Sequence, residues 1–304
     1  MGLLINGHWE NTAGNEIKRG AFVRTKVAFG AAIDQTTQSR LLDAPDAFAL
    51  IASPSCPWSH AATLTWVLKG LSDKITYQRA IGPRVQGYAL DPTGPVAQSL
   101  GAAHAHQLYT ATRSDYTGRV TVPILWDIPE QRIICNESTH IIKALDAFRE
   151  GPNLCPDNAA PALSVYLFKI YDGLSNAVYR AGLAQRQDVY DTAVDQVFET
   201  MADLDRHLSD RRFLLDESLT VADLRLFATL VRFDTVYVTH FRCTRHRLTE
   251  FENLWLHTRR IYNMPGVADT VDFDEIMRGY FLNDGDHNPH GIVSQPPAID
   301  WSLP

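Results

Sequence analysis

Hydrophobic and polar residues follow two different patterns along this chain of 304 residues. In the first half, short apolar runs between turn residues predict a strand over 47–53, a helix from Pro57 to Gly70 and a strand over 74–81. Farther along, apolar residues recur every three or four positions, which predicts helices over 162–265. The change in period indicates two parts of different structural class.

The rest of the first half predicts two more strands and a second helix. A β-rich stretch is interrupted by Pro123, another strand follows it, and a helix starts near Ser138. Residues 82–118 are rich in Gly, Pro, Asp and His and predict a long loop or an insertion. Residues 1–45 have only weak periodicity and predict an irregular arm. This order of elements is typical of a small α+β sandwich.

We therefore predict an α+β fold with a thioredoxin-like N-terminal domain, including the arm, over residues 1–150. An all-helical domain with a C-terminal tail is predicted over 151–304. Within it, Thr220 and Asp223 have the spacing of a capping box before an apolar helix. Asp223 is accordingly interpreted as structural rather than catalytic.

Composition narrows the classes of function. Hydrophobic residues make up 45% and charged residues 21%, as in soluble globular proteins. The net charge of −7 argues against a nucleic-acid partner. No apolar run approaches the roughly 20 residues that span a bilayer. The four cysteines are far apart and form no C-x-x-C motif, so we expect a cytoplasmic protein with reduced thiols.

Cys56 stands at the junction between a predicted strand and a predicted helix. Pro57 suits the first helical turn, where its missing N–H is not needed. The free amide groups and the dipole of a helix N-terminus favour a negatively charged sulfur, so one interpretation is a reactive thiolate. The other is a small, buried and inert cysteine. Position alone leaves both open.

Two later elements bear on this choice. In thioredoxin-like domains a cis-proline faces the reactive cysteine, and the residue before it, here Val122, offers backbone hydrogen bonds to a bound thiol peptide. At the next helix start, Glu137 can hold an ammonium group and Ser138 a carboxylate. Ser138 could equally be only an N-cap. Together with Cys56, in this order, the elements predict a glutathione site.

The sequence resembles the glutathionyl-hydroquinone reductases, the Xi class of glutathione transferases. The resemblance covers nearly the whole chain and is carried by the segments MGLLINGHWE, CPWSH, YTGRVTVPILWD, NEST, NAVYRAGLAQ, RLFATLVRFDTVYVTHFRC, GVADTVDFDEI and NPHGIV. It implies a thioredoxin-like domain followed by a glutathione-transferase helical domain, usually in a homodimer, with glutathione as co-substrate. His240, Cys243 and His246 are spaced by three, but the family implies no metal there.

The resemblance also implies a reaction. The Cys56 thiolate attacks the sulfur of a glutathionyl-hydroquinone or a related aromatic conjugate, and a second glutathione resolves the mixed disulfide, so one cysteine suffices. The implied glutathione-binding residues are Val122, Glu137, Ser138, Arg119 and Tyr88. The implied substrate-side residues are Tyr171, Tyr179, Tyr237 and Tyr280. Arg119 could equally form a salt bridge at a strand edge, and each substrate-side tyrosine could be an ordinary packed aromatic.

Two departures from the family pattern leave the substrate open. The family motif reads C-P-W-A-H-R, whereas this chain has C-P-W-S-H-A and so carries Ala61 in place of the arginine. Tyr88 stands where a tryptophan is expected. The alternatives are a glutathione-dependent transferase, lyase or dehalogenase acting on a specialised aromatic metabolite, and a ligand-binding protein without turnover. The thiol at Cys56 argues against the last of these.

Overall fold

The computed structural model describes residues 2–11, 16–283 and 288–304. The strands in chain order are β1 (Leu3–Ile5), β2 (His8–Glu10), β3 (Ile17–Lys18), β4 (Ala21–Phe22), β5 (Phe48–Ala52), β6 (Thr76–Ile81), β7 (Ala89–Leu90), β8 (Ile124–Asp127) and β9 (Arg132–Cys135). The helices are α1 (Gln35–Asp43), α2 (Pro57–Leu68), α3 (Pro95–Leu100), α4 (His106–Thr112), α5 (Ser138–Asp146), α6 (Ala160–Ile170), α7 (Asn176–Gly182), α8 (Gln187–His207), α9 (Val221–Leu230), α10 (Glu252–Tyr262) and α11 (Phe273–Phe281).

These elements form two compact units, and neither is one continuous stretch of chain. Of the described residues, the first unit contains 2–11, 26–151, 270–283 and 288–294. The second contains 16–25, 152–269 and 295–304. Helix α11 therefore belongs to the first unit although it follows the second in sequence. The domain boundary at residue 150 stays a prediction.

The first unit is built on a mixed sheet with the order β7-β6-β5-β8-β9. Strand β5 is central and fully buried; it pairs with β6 in parallel and with β8 antiparallel. Its sequence FALIA is apolar on both faces, as expected for a strand covered on both sides. Helix α2 follows β5 directly and α5 follows β9. The predicted α+β fold with a thioredoxin-like first part is confirmed.

The prediction of an irregular arm over residues 1–45 was wrong. Strands β1 and β2 form a hairpin whose turn residues, Asn6 and Gly7, have φ of +47° and +80°. Positive φ at both positions is characteristic of the tight turns that Asn-Gly favours. Asp34 accepts a hydrogen bond from the Thr37 amide and so caps α1. These elements are too short to give a periodic signal. The Asn-Gly turn and the Asp34 cap, however, could have been predicted from those residues alone.

The prediction of one long loop over residues 82–118 was also wrong, because β7, α3 and α4 lie in it. Leu108 and Tyr109 of α4 are fully buried, so this segment contributes to the core rather than only covering it. Pro123 does not interrupt a strand. Its peptide bond to Val122 is cis, and β8 begins at the next residue.

The second unit is predominantly helical, as the sequence predicts. Helix α8 buries the stripe that includes Val197, Met201 and Leu204. Thr220 and Asp223 form the predicted capping box at the start of α9, which confirms the structural interpretation of Asp223. In the described parts of the chain no helix is long and apolar enough to cross a membrane.

Candidate active site

Cys56 is the N-cap residue of α2, where the sequence places it. Its amide donates to the Ser53 carbonyl at 3.1 Å, which closes the turn between β5 and the helix. Its Sγ accepts a hydrogen bond from the Ser59 amide at 3.5 Å. The residue is 9% exposed, so the sulfur lies in a helix N-terminus that is mostly shielded from water. This environment favours negative charge on the sulfur.

Val122 lies beside this sulfur. The Cys56 thiol donates to the Val122 carbonyl at 3.6 Å, so the residue before the cis-proline is in contact with the candidate nucleophile. Within the described residues, the Val122 amide N–H has no hydrogen-bond acceptor. A backbone N–H without an internal partner is suited to the backbone of an extended ligand.

A buried hydrogen-bond network fixes the Val122 segment. The Tyr109 hydroxyl donates to the Thr121 carbonyl at 2.7 Å and accepts from the Thr121 amide at 3.0 Å. It also accepts from Asn136 Nδ2 at 2.8 Å. Burial raises the pKa of Tyr109, so its phenol stays neutral. The network connects the residue before Val122 to the residue before Glu137. The sequence gives no sign of this role, because Tyr109 lies in the segment 82–118, where composition predicts a loop.

Glu137 is the N-cap of α5, and its side chain accepts from the Thr139 amide at 3.1 Å. Ser138 is the first residue inside the helix and is 3% exposed. The alternative that Ser138 serves as the N-cap is therefore wrong. Cys135 lies nearby, but burial raises the pKa of its thiol to about 11, which keeps that sulfur protonated near neutral pH. Glu137 and Ser138 as glutathione contacts stay predictions.

Tyr88 lies under an arginine that the sequence did not point to. The Arg84 guanidinium carbon is 4.3 Å from the centre of the Tyr88 ring, an arrangement typical of a cation–π contact. Arg84 Nη2 also donates to Ser55 Oγ at 3.1 Å. Ser55 directly precedes Cys56, so the loop that carries Tyr88 is tied to the turn that carries the thiol.

Helix α11 packs against the same turn. A methyl group added at Gly279 would lie 2.3 Å from the Ser55 Cβ, so only glycine permits this approach. Asn283 Oδ1 accepts from the Arg84 amide at 2.6 Å, and Glu275 Oε1 accepts from the Gly82 amide at 3.0 Å. Tyr280 lies in this helix, in the same unit as Cys56, and is 4% exposed.

The other predicted tyrosines lie in the second unit. Tyr237 is fully buried, and its ring stacks on Phe241 with 5.5 Å between centres. Tyr179 contacts the same phenylalanine and the Arg24 guanidinium. Tyr171 is 42% exposed. Their substrate-side roles, like that of Tyr280, stay predictions.

The remaining positions near this site are Arg119, Ala61 and His60. Arg119 is half-buried, and its carbonyl accepts from the Tyr116 hydroxyl at 2.9 Å; both interpretations of its side chain stay open. Ala61 is fully buried in α2. His60 Nε2 is 2.8 Å from Thr270 Oγ1 within the first unit. Across the described residues, no group of three or more His, Cys, Asp or Glu side chains is arranged to hold a metal.

The chain matches known protein families and individual proteins. The glutathione S-transferase N-terminal domain family matches residues 55–147, and the corresponding C-terminal domain family matches 187–260. The chain is 38% identical to the glutathionyl-hydroquinone reductase YqjG of Escherichia coli, over all of this chain and 98% of that protein.

Two solved structures agree over the full chain. A Xi class glutathione transferase from Natrialba magadii aligns with a TM-score of 0.88 and 35% identity, covering 100% of this chain and 96% of the other. The glutathione-bound structure of Escherichia coli YqjG aligns with a TM-score of 0.85 and 35% identity, covering 100% and 98% of the two chains.

Proposed function

Since the chain belongs to the glutathionyl-hydroquinone reductase family, the Xi class of glutathione transferases, we propose that it reduces glutathionyl-hydroquinones or related aromatic glutathione conjugates with glutathione. The observation that carries this proposal is the sulfur of Cys56. It lies at a helix N-terminus, contacts the residue before the cis-proline, and has no second cysteine in the following turn. Such a site suits chemistry that uses one protein thiol and a thiol co-substrate.

In the first half-reaction the Cys56 thiolate attacks the glutathionyl sulfur of the conjugate. The carbon–sulfur bond breaks, its electron pair goes to the ring carbon, and that carbon takes up a proton as the hydroquinone leaves. A mixed disulfide between Cys56 and glutathione remains. The Ser59 amide, which already lies 3.5 Å from Sγ, stabilises the thiolate before attack.

In the second half-reaction the thiolate of another glutathione attacks the glutathione sulfur of the mixed disulfide. The sulfur–sulfur bond breaks, and Cys56 leaves as a thiolate while oxidised glutathione forms. Over the cycle, the sulfur of the conjugate and the sulfur of the second glutathione each give up one electron as oxidised glutathione forms. The ring carbon takes up these two electrons. No second protein thiol is required.

Binding of glutathione follows from the groups around the sulfur. The Val122 amide and carbonyl would pair with the glutathione backbone, as an edge strand pairs with a neighbour. Glu137 would hold the ammonium group, and the start of α5 with Ser138 would hold a carboxylate. Arg119 and Tyr88 complete the proposed contacts. Tyr171, Tyr179, Tyr237 and Tyr280 are proposed as substrate-side phenols, which hydrogen-bond or stack on aromatic rings.

The test is a turnover assay with glutathionyl-menadiol and glutathione. The wild-type protein is expected to release menadiol and oxidised glutathione continuously, and Cys56→Ser is expected to lose turnover because it has no thiolate to attack sulfur. Cys155→Ser is the matched control, since Cys155 is a half-buried cysteine of the second unit that forms no disulfide. It should retain wild-type turnover.

Other outcomes would redirect the assignment. A Cys56–glutathione adduct that forms without release of menadiol would favour a transferase, lyase or dehalogenase with a different aromatic substrate. The replacement of the family arginine by Ala61 and of the tryptophan by Tyr88 is the sequence feature behind that alternative. Glutathione binding that is unchanged in Cys56→Ser, with no adduct in the wild type, would favour a binding protein.

We further propose that the protein acts in the cytoplasm as a homodimer. None of the described cysteines, Cys56, Cys135, Cys155 and Cys243, forms a disulfide, which suits a reducing compartment. Light scattering on the purified protein should give twice the chain mass of 34.0 kDa. A mass of one chain across the working concentration range would refute the dimer.

A further inference from the structure

Ser59 has a buried hydroxyl that the fold does not use. The residue is fully buried, and its Oγ has no hydrogen-bond partner within the described residues. Buried polar side-chain atoms in native proteins are nearly always paired, so an exception at a reactive centre calls for a cause. The backbone amide of the same residue already donates to Cys56 Sγ at 3.5 Å.

The other buried hydroxyls of α2 are paired. Thr63 Oγ1 donates to the Ser59 carbonyl at 3.2 Å, and Thr65 Oγ1 donates to the Ala61 carbonyl at 2.9 Å. Bonding back to the preceding turn is therefore how this helix satisfies its hydroxyls. Ser59 lies in the first turn of the same helix and departs from that rule.

Ser59 is the third residue of α2, one turn after the N-cap Cys56. Cys56 and Ser59 have the separation of the two cysteines in a C-x-x-C motif, which form a disulfide at a helix start. In the thiol state the Cys56 proton is directed to the Val122 carbonyl at 3.6 Å. A neutral thiol is a weak acceptor, so it does not hold the Ser59 hydroxyl in a hydrogen bond.

We propose that Ser59 is a further catalytic residue, whose hydroxyl donates a hydrogen bond to the Cys56 sulfur whenever that sulfur is negatively charged. This happens before attack on the conjugate and again when Cys56 leaves the mixed disulfide. Hydrogen bonds to an ionised acceptor are stronger than those to a neutral one. The inference rests on the proposed role of Cys56 as the nucleophile.

The first test measures the sulfur without any glutathione conjugate. Ser59→Ala should slow the alkylation of Cys56 by iodoacetamide at neutral pH on the order of tenfold, the loss of one charge-assisted hydrogen bond. Its melting temperature should be equal to or above that of the wild type, because no partner is lost. Thr65→Val is the matched control: it removes a paired hydroxyl, so it should lower the melting temperature and leave the alkylation rate unchanged.

The second test measures geometry. In Ser59→Cys, treatment with diamide should join the introduced thiol to Cys56; the two thiols lose two protons and two electrons, and diamide is reduced. The intact mass should fall by two hydrogens, and neither sulfur should then react with iodoacetamide. Thr63→Cys, whose side chain lies about two turns from Cys56, should form no such disulfide.

Either of two results would overturn the proposal. One is an alkylation rate in Ser59→Ala equal to that of the wild type. The other is the absence of an intramolecular disulfide in folded Ser59→Cys. Because neither measurement uses an aromatic conjugate, the proposed reductase activity could fail while Ser59 still assists Cys56, and the reverse, so the two failures are distinguishable.

Discussion

Each unit contains a buried polar network, and the two networks serve different ends. In the first unit, Tyr109, Thr121 and Asn136 hold the segment whose carbonyl contacts the Cys56 sulfur. In the second, the Asp223 carboxylate accepts from the Leu214 amide, from Thr220 and from His257, and so joins the start of α9 to α10 and to the preceding turn.

The comparison shows how a hydrogen-bond network that supports a binding site differs from one that only stabilises the fold. Both networks are buried, and both use hydrogen bonds between groups far apart in sequence. The network of the first unit ends at a backbone carbonyl in contact with a thiol and beside an amide without an internal acceptor. The carboxylate of the second is surrounded by donors from the start of α9, from α10 and from the turn before α9, and these hydrogen bonds hold elements of the fold together. We therefore expect substitutions in one network to change binding and in the other to change stability.

The largest effect is expected in the second unit. Asp223→Ala leaves the buried donors of Thr220, Leu214 and His257 without their acceptor and should lower the free energy of unfolding by about 3–5 kcal/mol. Urea denaturation measures this. Asp203→Ala, an exposed aspartate paired with Lys169, should cost under about 1 kcal/mol. Equal losses in the two variants would contradict the assignment of Asp223 as a structural anchor.

An intermediate effect is expected in the first unit. Tyr109→Phe removes a hydroxyl that accepts from Thr121 and Asn136, which should lower the free energy of unfolding by about 1–3 kcal/mol. It should also raise the KM for glutathione several-fold, since the Val122 segment loses its support. Tyr77→Phe is the control, because that hydroxyl bonds to Thr63 on α2. If KM rises equally in both, the network does not position the site.

The smallest effect concerns pH and helix α11. Burial raises the pKa of Glu275 above the ordinary value of 4.5, so folding favours its neutral form. The resulting stabilisation is present at low pH and is lost as the pH rises through the raised pKa. Glu275→Gln keeps the acceptor for the Gly82 amide and should stabilise the protein near neutral pH. The gain should stay under about 1 kcal/mol, because the side chain is half-exposed and screened.

Urea denaturation at neutral and at acidic pH measures that difference. The advantage of Glu275→Gln over the wild type should shrink as the pH falls below the ordinary value for glutamate. Asp274→Asn, exposed on the same helix, should show no comparable trend. If the extra stability of Glu275→Gln over the wild type instead grew as the pH fell, the expected effect of Glu275 on stability would be wrong.

Much of this site could be predicted from local sequence. Cys56 before Pro57, the Val122–Pro123 pair and the helix start at Glu137 each carry a short-range signal, and the structure brings Val122 to the sulfur. Tyr109 could not be found in that way. It acts through contacts with Thr121 and Asn136 that exist only once the sheet has formed, and its own helix, α4, is a single short element.

Contacts between segments far apart in the chain could not be predicted from the sequence, for the same reason. Phe29 pairs with Asn136 across 107 positions, and Gly279 fits against Ser55 only because α11 returns to the first unit. No periodicity or spacing in the sequence encodes such proximity. The short hairpin at Asn6-Gly7 and the cap at Asp34 differ, because their turn and capping residues were present and readable.

The central claim is that the Cys56 sulfur attacks the glutathionyl sulfur of an aromatic conjugate. Its most direct test is one turnover with glutathionyl-menadiol in the absence of free glutathione, followed by intact mass and peptide mapping. The expected result is one glutathione per chain, located on Cys56, with one equivalent of menadiol released. Release of menadiol without an adduct, or an adduct on Cys155 instead, would contradict the account.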